Sequence, residues 1–323
     1  MLEMHTQRLV AISPATLLSN SFAGVDIYAS SSDDSAPILF CSKTQPISRL
    51  RLKQLAEDKV FQLFVGSDCF EAYQAYLRSH WEQIAADREL PANTRVSILN
   101  EVIRDVLNTA FRKGCTQTIV EASQSLSDGI VKIIGDERLA LKGLYDVLHH
   151  DYATFTHSAN VATYAVLLAK KVGYSDEEQK AIAVAALLHD LGKLSIDERI
   201  LRKAGRLDEF EFKEIKKHPL VGFRKLVDRD DLSFPQLMMV YQHHEKLDGT
   251  GYPVGVVQDE IHPWAKLCSV VDIFEALTSN RPYRSMMEHG VALQILNKAA
   301  GKELDGELVR CWSELVLKGG NKS

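Results

Sequence analysis

Residues 175–193 read SDEEQKAIAVAALLHDLGK. Ser175 with Glu178 three positions later is a capping box, so a helix opens here. It runs into Leu187, Leu188, His189 and Asp190, and Gly192 ends it beside the His-Asp pair. Upstream, Asp151–Lys171 has a strong helical pattern closed by Gly173. Downstream, Asp208–Lys217 is helical and meets His218-Pro219, where the proline biases His218 away from the helical region. Ser233 with Pro235 just inside signals the start of a helix that carries His243 and His244. Lys246–Gly255 holds three glycines and one proline and reads as a loop. Pro263–Ser279 is a further helix and carries Asp272. From Leu144 on the chain carries no strand signal, so residues 144–323 read as an all-α domain.

The first residues differ. Short β-branched or apolar runs lie at Leu9–Ile12, Val25–Tyr28, Ile38–Phe40 and Val60–Val65, with a polar break at Ser30–Ser35. Ser48–Glu57 has helical spacing, and Phe70, Tyr73, Tyr76, Leu77 and Trp81 share one helix face. Residues 1–90 therefore read as a small α+β N-terminal module, accessory or regulatory in role. Pro91–Asn93 breaks the pattern. Two helices follow, Thr94–Phe111 and Gln117–Ile134, so residues 91–143 read as linker or dimerisation helices. Core helices of the larger domain are an equally weighted reading of that stretch.

A net charge of −5 argues against a non-specific nucleic-acid binder, so a phosphate-bearing partner needs a local basic site or a metal. The five cysteines are scattered and contain no Cys-x-x-Cys, which argues against a disulfide framework and a thiolate zinc site and for a reduced cytoplasm. No signal peptide or run of about 18 apolar residues is present, so no membrane span is expected.

Two strings concentrate the chemistry: His189-Asp-Leu-Gly-Lys193 and His243-His-Glu-Lys-Leu-Asp-Gly-Thr-Gly-Tyr-Pro253. With His157, His218 and Asp272, the residues His189, Asp190, His243 and His244 of these strings supply five imidazoles and two carboxylates, all on or at the ends of expected helices. Imidazole with carboxylate and no thiolate suits iron, manganese, zinc, nickel or cobalt. Seven ligands are too many for one ion that must also hold water, and suit two ions bridged by one carboxylate. Such a pair can share a water, lower its pKa and hold a phosphodiester for in-line attack. Lys193, four residues after His189, shares a face with it if the helix persists. Asp272, inside the apolar segment Leu267–Leu277, is costly unless metal-bound or paired with an arginine.

The order His-Asp-x-Gly-Lys, His218-Pro-x-x-Gly222, His-His-Glu-x-x-Asp-Gly-x-Gly-Tyr-Pro and Val271-Asp-x-Phe-x-Ala-Leu-x-Ser-x-Arg-Pro-Tyr-Arg284 resembles the HD-GYP family of cyclic di-GMP phosphodiesterases. The resemblance runs from about Tyr145 to the end and implies an HD-type helical bundle. It implies one metal held by His157, His189, Asp190 and Asp272, and another by Asp190, His218, His243 and His244. It further implies that Lys193 lies beside the scissile phosphate and that Arg281 and Arg284 hold substrate phosphates. Gly251, Tyr252 and Pro253 would shape the loop beside the site, a contact for a diguanylate cyclase or another protein. Some family members place a glutamate four residues before the first histidine and bind a third metal. That position is Ala153, so two divalent ions, iron or manganese, are expected. The expected activity is hydrolysis of cyclic di-GMP to pGpG by a hydroxide on the metal pair, with onward cleavage to GMP open. Another cyclic dinucleotide, or a signalling adaptor with little catalysis, are the alternatives. A homodimer is also open.

Overall fold

The computed structural model describes residues 9–12, 17–18, 21–30, 37–48, 50, 62–86, 92–113, 115–135, 154–203, 205–280 and 285–320. The chain divides into two compact units, 1–98 and 99–323.

The first unit holds four short strands, β1 (Leu9–Ile12), β2 (Ile27–Ser30), β3 (Ile38–Cys41) and β4 (Gln62–Gly66), followed by α1 (Phe70–Ala86). They form one antiparallel sheet in the order β1-β4-β2-β3. Ile27, Leu63 and Val65 are fully buried in it. On α1 the expected apolar face is buried at Tyr73, Tyr76, Leu77 and Trp81. The Tyr76 hydroxyl stays satisfied by accepting from the Leu18 N–H at 2.7 Å. Strand β2 begins two residues later than the apolar run suggested, next to a register shift between Ile27 and Tyr28. The expected polar break and the helix over Ser48–Glu57 lie largely outside the described residues.

Helix α2 (Ala92–Lys113) contains the division between the units. Beyond it come α3 (Thr116–Ile134), α4 (Thr154–Val172), α5 (Asp176–Leu188), α6 (Glu198–Leu201), α7 (Glu209–Ile215) and α8 (His218–Leu226). Helices α9 (Phe234–Gln242), α10 (Pro263–Thr278), α11 (His289–Ala299) and α12 (Gly306–Gly320) complete the second unit. Among the described residues that unit has no strand, only isolated bridges at Asp248–Val257 and Ala300–Leu304.

Helix α4 is the axis of the bundle. Residues 156–169 are buried without a break, and α3, α5, α10 and α12 pack on it. Ala159, Ala162, Ala165 and Ala169 give it a slim surface against which neighbours seat closely. Helix α3 packs on α5 and α4 and so belongs to this core. The Ser175–Glu178 capping box forms as expected, which starts α5 and aims its far end at the site.

Three local expectations need correction. Helix α5 stops at Leu188, and Leu191–Ser195 forms a 3₁₀ turn, so Lys193 does not share a helix face with His189. Gly192 lies in that turn, which packs against α8 backbone too tightly for any side chain at this position. His218 is not excluded from helix; it opens α8 with Pro219 in the first turn, where a missing N–H costs nothing. Helix α9 ends at Gln242, so His243 caps it and His244 lies just beyond.

Candidate metal centre

The seven expected ligands meet in one place. Among the described residues two groups have ligand atoms mutually within 4.8 Å: Asp190, His218, His243 and His244, and His157, His189 and Asp272. All are buried except His244, which is partly exposed.

The helix ends explain how the imidazoles are aimed. A helix leaves its last four carbonyls without intrahelical partners. His189, His218 and His243 each follow a helix end and place Nδ1 against the carbonyl three residues back. Those acceptors are Ala186 at 2.6 Å, Ile215 at 2.8 Å and Val240 at 2.9 Å. A carbonyl can only accept, so the proton sits on Nδ1 and each Nε2 presents a lone pair. His157 is anchored the same way by a carboxylate, with Nδ1 2.5 Å from Glu275 Oε2.

The resulting cluster repels itself unless a cation lies within it. Nε2 of His218 and Nε2 of His243 are 3.2 Å apart, lone pair to lone pair. Nε2 of His189 and Oδ1 of Asp190 are buried without a hydrogen-bond partner. Protonation is no remedy, because burial holds His218 down to about 3, His244 to about 4 and His243 well below the ordinary imidazole value. Burial pushes the carboxyls of Asp190 and Asp272 up, but the Lys193 ammonium beside Asp190 and the hydrogen bond between His157 and Asp272 outweigh it and hold both well below the usual carboxylate range. Neutral imidazoles and ionised carboxylates are the protonation states that bind a divalent metal. The donor set therefore fits a divalent metal, with imidazole and carboxylate as ligands and no thiolate.

Asp190 sits between the groups. Its Oδ2 is 3.4 Å from His189 Nε2 and 3.5 Å from His157 Nε2, while Oδ1 is 3.2 Å from His218 Nε2. Lys193 Nζ donates to Oδ2 at 2.6 Å and remains 17% exposed, so it faces both the cluster and solvent. Asp272 pairs with His157 at 3.1 Å and lies 3.9 Å from His244; no arginine pairs with it among the described residues. Arg281, Arg284 and Ala153 lie outside the described residues.

The Gly-Tyr-Pro loop is built against this centre. The Tyr252 ring stacks on His244 with centroids 4.7 Å apart, and its N–H donates to the His244 carbonyl at 3.1 Å. The Tyr252–Pro253 bond is cis. Gly251 touches the backbone of Glu245 and Lys246, with no room for a Cβ. Gly192 likewise abuts the His218 carbonyl and Gly222, so the glycines of the first two motifs form one contact.

Several supporting residues were not singled out from sequence. Glu275 lies three positions after Asp272 and Asn160 three after His157, a spacing that puts each on its ligand's face. Glu245 is 3% exposed and accepts from the N–H groups of Val254 at 2.8 Å and Gly255 at 3.0 Å, which pins the loop. Ser269 donates to the His243 carbonyl at 2.5 Å. No pattern in the sequence marks Ser269.

Known proteins place this arrangement. The HD domain family matches residues 143–308. A cyclic di-GMP phosphodiesterase of Pseudomonas aeruginosa is 37% identical over 177 residues, 55% of this chain and 42% of that protein. A 3'3'-cGAMP-specific phosphodiesterase of Vibrio cholerae is 40% identical over 155 residues, 48% of this chain and 33% of that protein. The chain thus spans less than half the length of either relative. Among solved structures, an HDG"Y"P protein from Bdellovibrio bacteriovorus superposes with a TM-score of 0.66 at 20% identity, covering 96% of this chain and all of that one. That likeness concerns the fold. With the four ordered motifs, the helical bundle and the matched segment in agreement, the chain belongs to the HD domain family, in its HD-GYP branch.

Proposed function

We propose that the chain is a metal-dependent phosphodiesterase that opens cyclic di-GMP to linear pGpG. The observation that carries this reading is the buried convergence of Nε2 lone pairs on Asp190, a site that only cations can satisfy. The names of the relatives supply the substrate class. His157, His189, Asp190 and Asp272 would hold one ion, and Asp190, His218, His243 and His244 the second, with iron or manganese the expected metal. Such a pair supplies phosphate neutralisation and a water of lowered pKa.

The chain's own side chains do the rest. Lys193, held at Asp190 and partly open to solvent, is placed to bind the scissile phosphate. Tyr252 covers His244 and, with Gly251 and Pro253, walls the site. Arg281 and Arg284 are the proposed clamps for the phosphates, a task suited to guanidinium forks. The loop is also the proposed contact for a diguanylate cyclase, and a homodimer remains part of the proposal. All five cysteines are free, which supports a reducing cytoplasm. Among the described residues no helix is long and apolar enough to cross a membrane.

A second substrate, cyclic GMP-AMP, is favoured by the 40% identity to the Vibrio cholerae enzyme. The test is anaerobic, metal-replete full chain incubated with both cyclic dinucleotides and a generic phosphodiester, with products separated by chromatography. Turnover of a cyclic dinucleotide that vanishes in Asp190→Ala is expected. No turnover of any of them by the wild type sinks the reading.

A further inference from the structure

Four imidazoles are fixed through Nδ1, but not by the same kind of acceptor. His189, His218 and His243 use carbonyls of helix ends, which no side-chain event can retune. His157 uses the carboxylate of Glu275, a side chain on another helix. Glu275 is 2% exposed, and its Oε1 accepts from Asn160 Nδ2 at 3.1 Å and from Ser279 Oγ at 2.7 Å. Asn160 Oδ1 accepts in turn from Asn100 Nδ2 on α2 at 3.4 Å, and both amides are buried. The polarity is consistent along this line. Each amide donates inward, so Glu275 receives donors at both oxygens and remains an acceptor for His157.

The two groups of candidate ligands are therefore supported differently. The group of Asp190, His218, His243 and His244 has two histidines tied to backbone. The group of His157, His189 and Asp272 has one imidazole whose ring orientation and basicity depend on a side-chain line ending at α2. A carboxylate that accepts Nδ1–H fixes an imidazole's tautomer and makes its Nε2 a stronger metal donor. We propose that Glu275, held by Asn160, Ser279 and Asn100, is a positioning residue that sets the metal affinity of the His157 subsite separately from that of the other. This deepens the proposed function, since it rests on the reading that the cluster takes two cations.

The experiment titrates full-length, metal-free protein with Mn²⁺ alone, by calorimetry and by electron paramagnetic resonance. Wild type takes two equivalents. Glu275→Gln replaces an acceptor-only carboxylate with an amide that cannot accept from all three donors. It is expected to weaken one equivalent about 10–100-fold and leave the other unchanged. Its spectrum at two equivalents then shows isolated Mn²⁺ where wild type shows a coupled pair. Asn100→Ala, one residue further out, shifts the same equivalent by a smaller factor. Ser279→Ala removes a donor to the same carboxylate and is read in its place should Glu275→Gln fail to fold. A merely structural role would weaken both equivalents alike; that result, or no change in either, overturns the proposal. A wild type that takes one equivalent refutes the two-cation reading and the proposal with it. Because the readout is metal alone, a selective loss supports the proposal even in a chain that turns over no cyclic dinucleotide.

Discussion

Replacing Gly192 by alanine tests whether the contact between the first two motifs sets the position of His218. The added Cβ would overlap the His218 carbonyl oxygen and lie 2.7 Å from the Gly222 nitrogen and 2.8 Å from the His218 carbonyl carbon. All three are backbone atoms, so no side chain can swing aside. Ordinary contact begins at 3.4 Å, so the 3₁₀ turn and the start of α8 must separate, by on the order of 1 Å at the His218 carbonyl. Overpacking of this kind costs about 1–3 kcal/mol, or about 2–12 °C in Tm for a unit of this size. The functional effect is larger, because Asp190 caps the turn, Lys193 lies within it, and His218 opens the helix packed against it. A misplacement of about 1 Å in a reacting constellation costs about 100-fold. Calorimetric Tm and turnover of cyclic di-GMP by metal-loaded protein are the assays. Gly290→Ala is the control, since its Cβ meets nothing within 4 Å and both readouts stay at wild type. Wild-type turnover in Gly192→Ala would show that this contact does not set the position of His218.

The metal-free protein loses stability on acidification. His218 is held near 3 and His244 near 4, in both cases chiefly by burial. Below the unfolded imidazole pKa of about 6.5 the unfolded chain takes up protons that the folded chain refuses. Stability therefore falls as pH drops from about 6.5 toward 4, by up to about 1.4 kcal/mol per pH unit for each imidazole. Urea midpoints of chelator-treated protein at pH 7 and pH 5 check this, and a midpoint that holds or rises at pH 5 contradicts it. Glu245→Leu leaves the N–H groups of Val254 and Gly255 without their acceptor, at about 1–3 kcal/mol each. A lower Tm and a raised KM with the Mn²⁺ stoichiometry intact are expected; an unchanged KM would mean that the pinned loop does not border the substrate.

The candidate ligands were legible because metal chemistry restricts residue type. Only imidazole or carboxylate serves at those positions, and the short motifs preserve their order and spacing. Most of the helices that carry them were legible too, through the Ser175–Glu178 cap and the prolines at 235 and 263, whereas Pro219 pointed away from the helix that His218 opens. What aims the ligands left almost no trace. Three of the four Nδ1 anchors are carbonyls of Ala186, Ile215 and Val240, and a carbonyl is the same atom whatever the residue. Sequence reading carried helices through or up to these histidines, whereas each helix stops just short of its ligand. That early stop is what frees a carbonyl for Nδ1 and turns Nε2 toward the cluster. A helix extended by one turn at His189 would keep the residue and lose the site. The fourth anchor, Glu275, did leave a trace, at Asp272 plus three on an otherwise apolar helix. A second buried carboxylate on the face of a metal ligand has the same cost as the first, and the same argument that singled out Asp272 reaches Glu275.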